Sequence, residues 1–176
     1  RFISTTQSPN TGDTFWYVER KRGEKDYLFF QNAVTREVDK DIADAFKKIK
    51  RLKTFTYMEG FDHVLYRVAH HGFMNAAKEI LAATPYTSFG ITDLDENDAR
   101  LLTFRKGKKP FAIAALCGRN EHSGAEEYIR AHGPRIQHLS YAVSDVAKVY
   151  ALQKKRGIVF STDAIAGSEE DGILHA

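Results

Sequence analysis

Apolar and polar positions alternate in short runs along most of this 176-residue chain, and two of the runs share one pattern. Phe61-Asp62-His63-Val64-Leu65-Tyr66-Arg67-Val68 and Ile136-Gln137-His138-Leu139-Ser140-Tyr141-Ala142-Val143 both read as strands with a histidine third. After the first run, residues 73–83 place Phe73, Ala77, Ile80 and Leu81 at helical spacing, and Pro85 closes the helix. Strands near 86–93, 99–105 and 110–117 follow, separated by the turns Asp95-Glu96-Asn97-Asp98 and Lys106-Gly107-Lys108-Lys109. The unit is β-α-β-β-β. A bridging helix near 124–131 leads to the second run. Ser144 then suits a helix N-cap, Val146, Val149 and Tyr150 form an apolar stripe, and Lys154, Lys155 and Arg156 suit the helix end, with Gly157 just past it. A strand over 158–162 and another beginning at Gly172 continue the repeat. Ahead of both units, 14–20 reads as a strand. Residues 36–52 read as an amphipathic helix with Val38, Ile42, Ala45, Phe46 and Ile49 on its core face.

These elements predict an α+β fold of paired β-α-β-β-β modules, truncated within the second. The expected layout is the end of a preceding module plus a linker helix over 1–54, a first module over 55–118, and a bridging helix with a partial second module over 119–176.

Composition narrows the function classes. Hydrophobic content of 43% and charged content of 28% fit a globular domain rather than a disordered chain. A net charge of +3, with no basic run, argues against nucleic acid as a partner. No apolar run reaches the length of a membrane span and no signal peptide opens the chain, so no membrane partner and a cytoplasmic location are expected. Cys117 is the single cysteine, which excludes an internal disulfide and a zinc site built on cysteines. Without an activating base beside it, it reads as a small buried hydrophobe.

The candidate chemistry lies in the two repeated histidines. His138 shares a strand face with Ser140 and Ala142, and His63 with Leu65 and Arg67. One histidine in a strand is ordinarily a core or surface residue. Two at equivalent repeat positions can converge about a pseudo-twofold axis, and two imidazoles with one carboxylate form the facial triad of non-haem Fe(II). His63 and His138 are therefore the candidate metal ligands. Other acidic and histidine clusters carry less. Asp93 to Asp98 hints at a calcium loop but has Asp98 where glycine is needed and Phe104 where glutamate is needed, so a hairpin turn is expected. His70 and His71 are expected at the surface, and as chain neighbours they point apart. Glu169 and Glu170 stand in a solvated Gly-Ser-Glu-Glu-Asp-Gly turn. A pocket role for His175 rests on strand position alone.

The paired modules resemble the vicinal oxygen chelate superfamily, and within it most the 4-hydroxyphenylpyruvate dioxygenases. The resemblance covers most of 13–176 and is densest around 119–145. There, Asn120-Glu121-His122-Ser123-Gly124-Ala125-Glu126-Glu127-Tyr128-Ile129 leads through His132-Gly133-Pro134-Arg135 into the Gln137-His138 strand. Asp13-Thr14-Phe15-Trp16-Tyr17-Val18-Glu19-Arg20 resembles the end of that family's N-terminal domain. The resemblance implies an Fe(II)-dependent dioxygenase, with a small aromatic 2-oxo acid and O2 as partners and a homo-oligomer left open. It assigns His63 and His138 as the first and second iron ligands and puts a glutamate, the third, beyond residue 176. Substrate contacts are expected at Cys117 and Ser123. Both stand at departures: Ala115-Leu116-Cys117-Gly118 replaces the family's Pro-x-Asn-Glu, and Ser123-Gly124 replaces its Ser-Gln. The alternatives are a non-catalytic module of this fold that binds an aromatic ligand, and a glyoxalase-like enzyme using Zn or Ni.

Overall fold

The computed structural model describes residues 2–19, 40, 41, 44, 47, 54–109, 111–160, 165–168 and 173–175. The chain divides into two compact units, one of residues 1–20 with 61–140 and one of 21–60 with 141–176.

The main sheet has five strands. They are β3 (Met58–Arg67), β4 (Thr87–Leu94), β5 (Ala99–Arg105), β6 (Ala112–Gly118) and β7 (Arg135–Val143), in the order β4-β5-β6-β3-β7. β4, β5 and β6 pair antiparallel in sequence order. β3 then returns alongside β6 in parallel, with His63 opposite Ala112 and Arg67 opposite Leu116. A parallel pair needs a crossover. Helix α1 (Phe73–Ala83) begins that crossover, and the β4–β5 hairpin completes it. The β-α-β-β-β unit expected from the pattern is present with nearly the expected bounds.

Register decides what each face of the sheet does. Val64, Tyr66 and Val68 point toward α1, where Phe73, Ala76, Ala77 and Ile80 meet them together with Leu102, Phe104, Ile113, Ala115 and Cys117. Burying large side chains such as Phe104 and Ile80 stabilises the unit by about 1.5–3 kcal/mol each. Leu81, expected on the core face of α1, is exposed, and Ala76 takes the buried place. Leu65 belongs to the opposite face with Ala114 and Leu116, where Ala99 and Ala125 pack. His63 and Arg67 stand two positions either side of Leu65 and so share this second face.

Helix α2 (Gly124–His132) follows β6 and is capped by Ser123, whose Oγ accepts from the Glu126 backbone N–H. Gly133 ends it at a φ of 70°. In the same unit β1 (Phe2–Ser4) pairs with β2 (Trp16–Val18), a shorter strand than the expected 14–20. Their connecting loop is tied down by Ser8, whose Oγ donates to Glu79 Oε2 at 2.6 Å and accepts from the Asn10 and Thr11 backbone N–H groups. Gly12 there has a φ of 74°, and a Cβ on it would overlap the Pro134 carbonyl.

The second unit holds a 3-10 turn at Thr54–Tyr57, helix α3 (Val146–Lys155) and a hairpin of β8 (Ala166–Ser168) and β9 (Ile173–His175). Asp145, not the expected Ser144, caps α3, because its carboxylate reaches the Lys148 N–H and the Lys148 ammonium together. Residues 158–160 are not in a strand, against the expected strand over 158–162, whose last two positions lie outside the described residues. Of the expected helix at 36–52, Lys40, Asp41, Asp44 and Lys47 are helical, while Val38, Ile42, Ala45, Phe46 and Ile49 lie outside the described residues. Among the described residues no helix is long and apolar enough to cross a membrane.

Candidate metal centre

β3 and β7 are sheet neighbours, and each carries its histidine on the face away from α1. The Nε2 atoms of His63 and His138 lie 3.2 Å apart, with ring centroids 5.3 Å apart and planes inclined at 69°. Residues 75 positions apart in sequence thus meet at one point.

Their other ring nitrogens are held by the residue before each. His63 Nδ1 is 2.6 Å from Asp62 Oδ2, and His138 Nδ1 is 2.9 Å from Gln137 Oε1. Side chains of consecutive strand residues leave on opposite faces, but Nδ1 is the ring nitrogen nearer the backbone, so the preceding side chain can reach it. A carboxylate oxygen and an amide oxygen only accept hydrogen bonds. With both rings neutral, both Nδ1 atoms carry the proton and both Nε2 atoms present lone pairs. Two lone pairs facing each other at 3.2 Å repel unless something positive lies with them. Two nitrogens on one ion, at bonds of about 2.1 Å, sit roughly 3.0 Å apart at a right angle and roughly 3.4 Å apart at the tetrahedral angle. The observed spacing falls between, so the pair suits a divalent cation that takes imidazole ligands.

The surroundings favour a neutral ring at His138. Partial burial pushes the His138 pKa below the ordinary histidine value, and the nearby His63 and Arg67 push it the same way. Ser140, two residues beyond His138, brings its Oγ to 3.2 Å from His63 Nε2. A hydroxyl there can donate to whatever oxygen or nitrogen occupies the site. Arg67 is anchored on the same face, 5.7 Å from the centre of the Tyr128 ring.

The other expected site residues fall elsewhere. Cys117 alternates onto the α1 side of β6, is almost fully buried, and its thiol is pushed up to about 11, by burial first and the Glu126 carboxylate second. Ser123 is buried as the cap of α2. Neither is gathered with the histidine pair. His70 and His71 are exposed, as expected, yet His70 Nδ1 lies 2.7 Å from the Gly118 carbonyl. The acidic run at 93–98 forms the expected hairpin turn, with Asp93 on Arg100 at 2.8 Å, Asp95 on Arg119, and Asp98 accepting from Asn120 at 2.6 Å. His175 lies in β9, and Glu169 and Glu170 lie outside the described residues. No group of three His, Cys, Asp or Glu side chains is gathered among the described residues.

The pattern alone did not single out Asp62, Ser140 or Glu126. The first had a signal, since each repeated histidine is preceded by a side chain able to accept a hydrogen bond. Glu126 is a buried carboxylate whose Oε1 accepts from the His70 backbone N–H at 2.9 Å and the Gly118 N–H at 3.3 Å. It joins the exits of β3 and β6 to the helix that leads into β7.

No protein-family model matches this chain, and no curated protein does either. Solved structures do match. Methylmalonyl-CoA epimerase from Mycobacterium tuberculosis superposes with a TM-score of 0.55 at 18% identity, over 68% of this chain and 86% of that one. A methylmalonyl-CoA epimerase in complex with methylmalonyl-CoA and NH4+ gives 0.52 at 16%, over 67% and 92%. A hypothetical protein from Bacillus halodurans gives 0.53 at 17%, over 65% and 89%. The β-α-β-β-β unit, the adjacent opening strands and these superpositions together show that the chain has the vicinal oxygen chelate, or glyoxalase-like, fold.

Proposed function

We propose that this chain is a divalent-metal-dependent enzyme of the vicinal oxygen chelate type, with His63 and His138 as two of its metal ligands. The observation that supports this most is the 3.2 Å approach of two Nε2 lone pairs whose Nδ1 protons are both engaged elsewhere. A bound divalent ion would supply Lewis-acid polarisation of substrate oxygens. The chain's own residues would do the rest. Asp62 and Gln137 hold the rings in the binding tautomer, and Ser140 offers a hydroxyl beside the ligand set.

Two chemistries share this site. The sequence from Asn120 to His138 supports the Fe(II) dioxygenase reading, with an aromatic 2-oxo acid as substrate. The superposed epimerase structures support a glyoxalase-like reading, in which a metal would activate a substrate without oxygen. Metal titration followed by isothermal calorimetry is the first test. One ion per chain is expected, lost in His138→Ala, and unchanged binding in that variant would sink the metal centre. Oxygen uptake with Fe(II) and 4-hydroxyphenylpyruvate then tests the dioxygenase. Turnover of a methylmalonyl thioester or a hemithioacetal under anaerobic conditions with Co(II), Ni(II) or Zn(II) tests the second. A ligand bound without turnover would point to the binding module.

A further inference from the structure

We infer that Asp62 is a positioning residue that keeps His63 open for a ligand. The inference rests on the metal reading above and concerns how the apo site is kept ready. The two histidines occupy equivalent repeat positions but have unequal partners. His138 Nδ1 faces a neutral amide at 2.9 Å, an ordinary hydrogen-bond length. His63 Nδ1 faces a carboxylate at 2.6 Å, in the short range of charge-assisted bonds. Asp62 is about half exposed, with 45% of its side-chain surface accessible, so its contact with His63 is not forced by core packing.

The consequence follows from the alternatives open to His63. A neutral imidazole released from Asp62 can place its proton on Nε2 instead. That proton would donate across the 3.2 Å gap to His138 Nε2. This bond would satisfy the pair internally and close the site. The carboxylate prevents this by holding the proton on Nδ1. It also sets a negative charge behind one ligand, which compensates part of an incoming ion's charge. Gln137 fixes its ring without that charge.

The test uses three variants and two readouts. In the metal-free protein at about pH 8, where imidazole is neutral, nitrogen-15 chemical shifts report which ring nitrogen holds the proton. Wild type and Asp62→Asn are expected to show His63 protonated on Nδ1, since an amide oxygen also accepts. Asp62→Ala is expected to shift the proton to Nε2. Co(II) affinity, measured by competition with a chromophoric chelator, should fall in the order wild type, Asp62→Asn, Asp62→Ala, with a total loss of roughly 10- to 100-fold. An unchanged tautomer in Asp62→Ala, or any other order of affinities, overturns the inference. If Asp62→Ala does not fold, Asp62→Asn decides, and affinity equal to wild type overturns it. His63→Ala separates the two levels: if it binds Co(II) as wild type does, the metal reading itself fails.

Discussion

Replacing Glu126 by Ala should cost about 3 kcal/mol of folding stability and should disturb the histidine pair without touching it. Glu126 is buried, and its Oε1 accepts from the backbone N–H groups of His70 and Gly118 at 2.9 and 3.3 Å. A hydrogen bond to a charged group contributes about 1.5–3 kcal/mol net, and a buried donor left without a partner costs about 1–3 kcal/mol. Taking about 2 kcal/mol for the part-buried 2.9 Å bond and about 1 kcal/mol for the longer 3.3 Å bond gives roughly 3 kcal/mol in sum. Glu126→Gln keeps an acceptor oxygen at the same reach and should lose only about 1 kcal/mol, the neutral share of the same bonds. Urea unfolding reads both. With a slope near 2 kcal/mol per molar, the Ala variant's midpoint should fall by about 1.5 M. Because Glu126 ties the end of β3 to α2, metal affinity should also weaken in the Ala variant and hold in the Gln variant. Equal stability of the Ala variant and wild type would refute the clamp. Equal losses in Ala and Gln would show that the negative charge, rather than an acceptor oxygen at that reach, carries the effect.

Three other outcomes follow from single features. Cys117 should resist thiol reagents in the folded state near pH 8, because burial favours the neutral thiol and moves its ionisation from 9.0 up to about 11; rapid labelling before unfolding would contradict that. Gly12→Ala should destabilise by about 2 kcal/mol or more, since its φ of 74° disfavours a side chain and the added Cβ would overlap the Pro134 carbonyl; a neutral effect in thermal unfolding would refute it. Since burial lowers the His138 pKa, its ring in the metal-free protein should reach half-protonation at a lower pH than a free histidine, read from its own nitrogen-15 shifts against pH; a midpoint at or above the free value would count against it.

The first module was legible because its pattern is strongly two-state. Val64, Tyr66 and Val68 alternate cleanly against Leu65, and Phe73, Ala77 and Ile80 recur at helical spacing, so strand, helix and burial follow from one reading. The assignment of Leu81 to the core failed because an apolar stripe is wider than the face a single sheet can cover, and small Ala76 fits closer. Ser144 lost the cap to Asp145 because a carboxylate can accept from the backbone and pair with Lys148 at once, a tertiary detail that propensity does not rank. The histidine pair was legible from repeat phase. Its supporting side chains were not, because a hydrogen bond between Nδ1 and the preceding residue depends on rotamers rather than on spacing. Cys117 was placed near the substrate by family analogy, whereas strand parity sends it to the α1 side.

The order of the sheet has a consequence for how the protein acquires its site in time. The β4–β5 hairpin closes over the short Asp95–Asn97 turn, so it can form within microseconds. The His63–His138 contact closes a loop of 75 residues, for which the length-dependent chain entropy is roughly 4 kcal/mol. That contact can persist only after β3, β6 and α2 have been assembled around it. A partly folded chain would therefore hold its hairpins and its helix but no paired imidazoles, and a nascent chain could not bring the two rings together until β7 had been synthesised and docked.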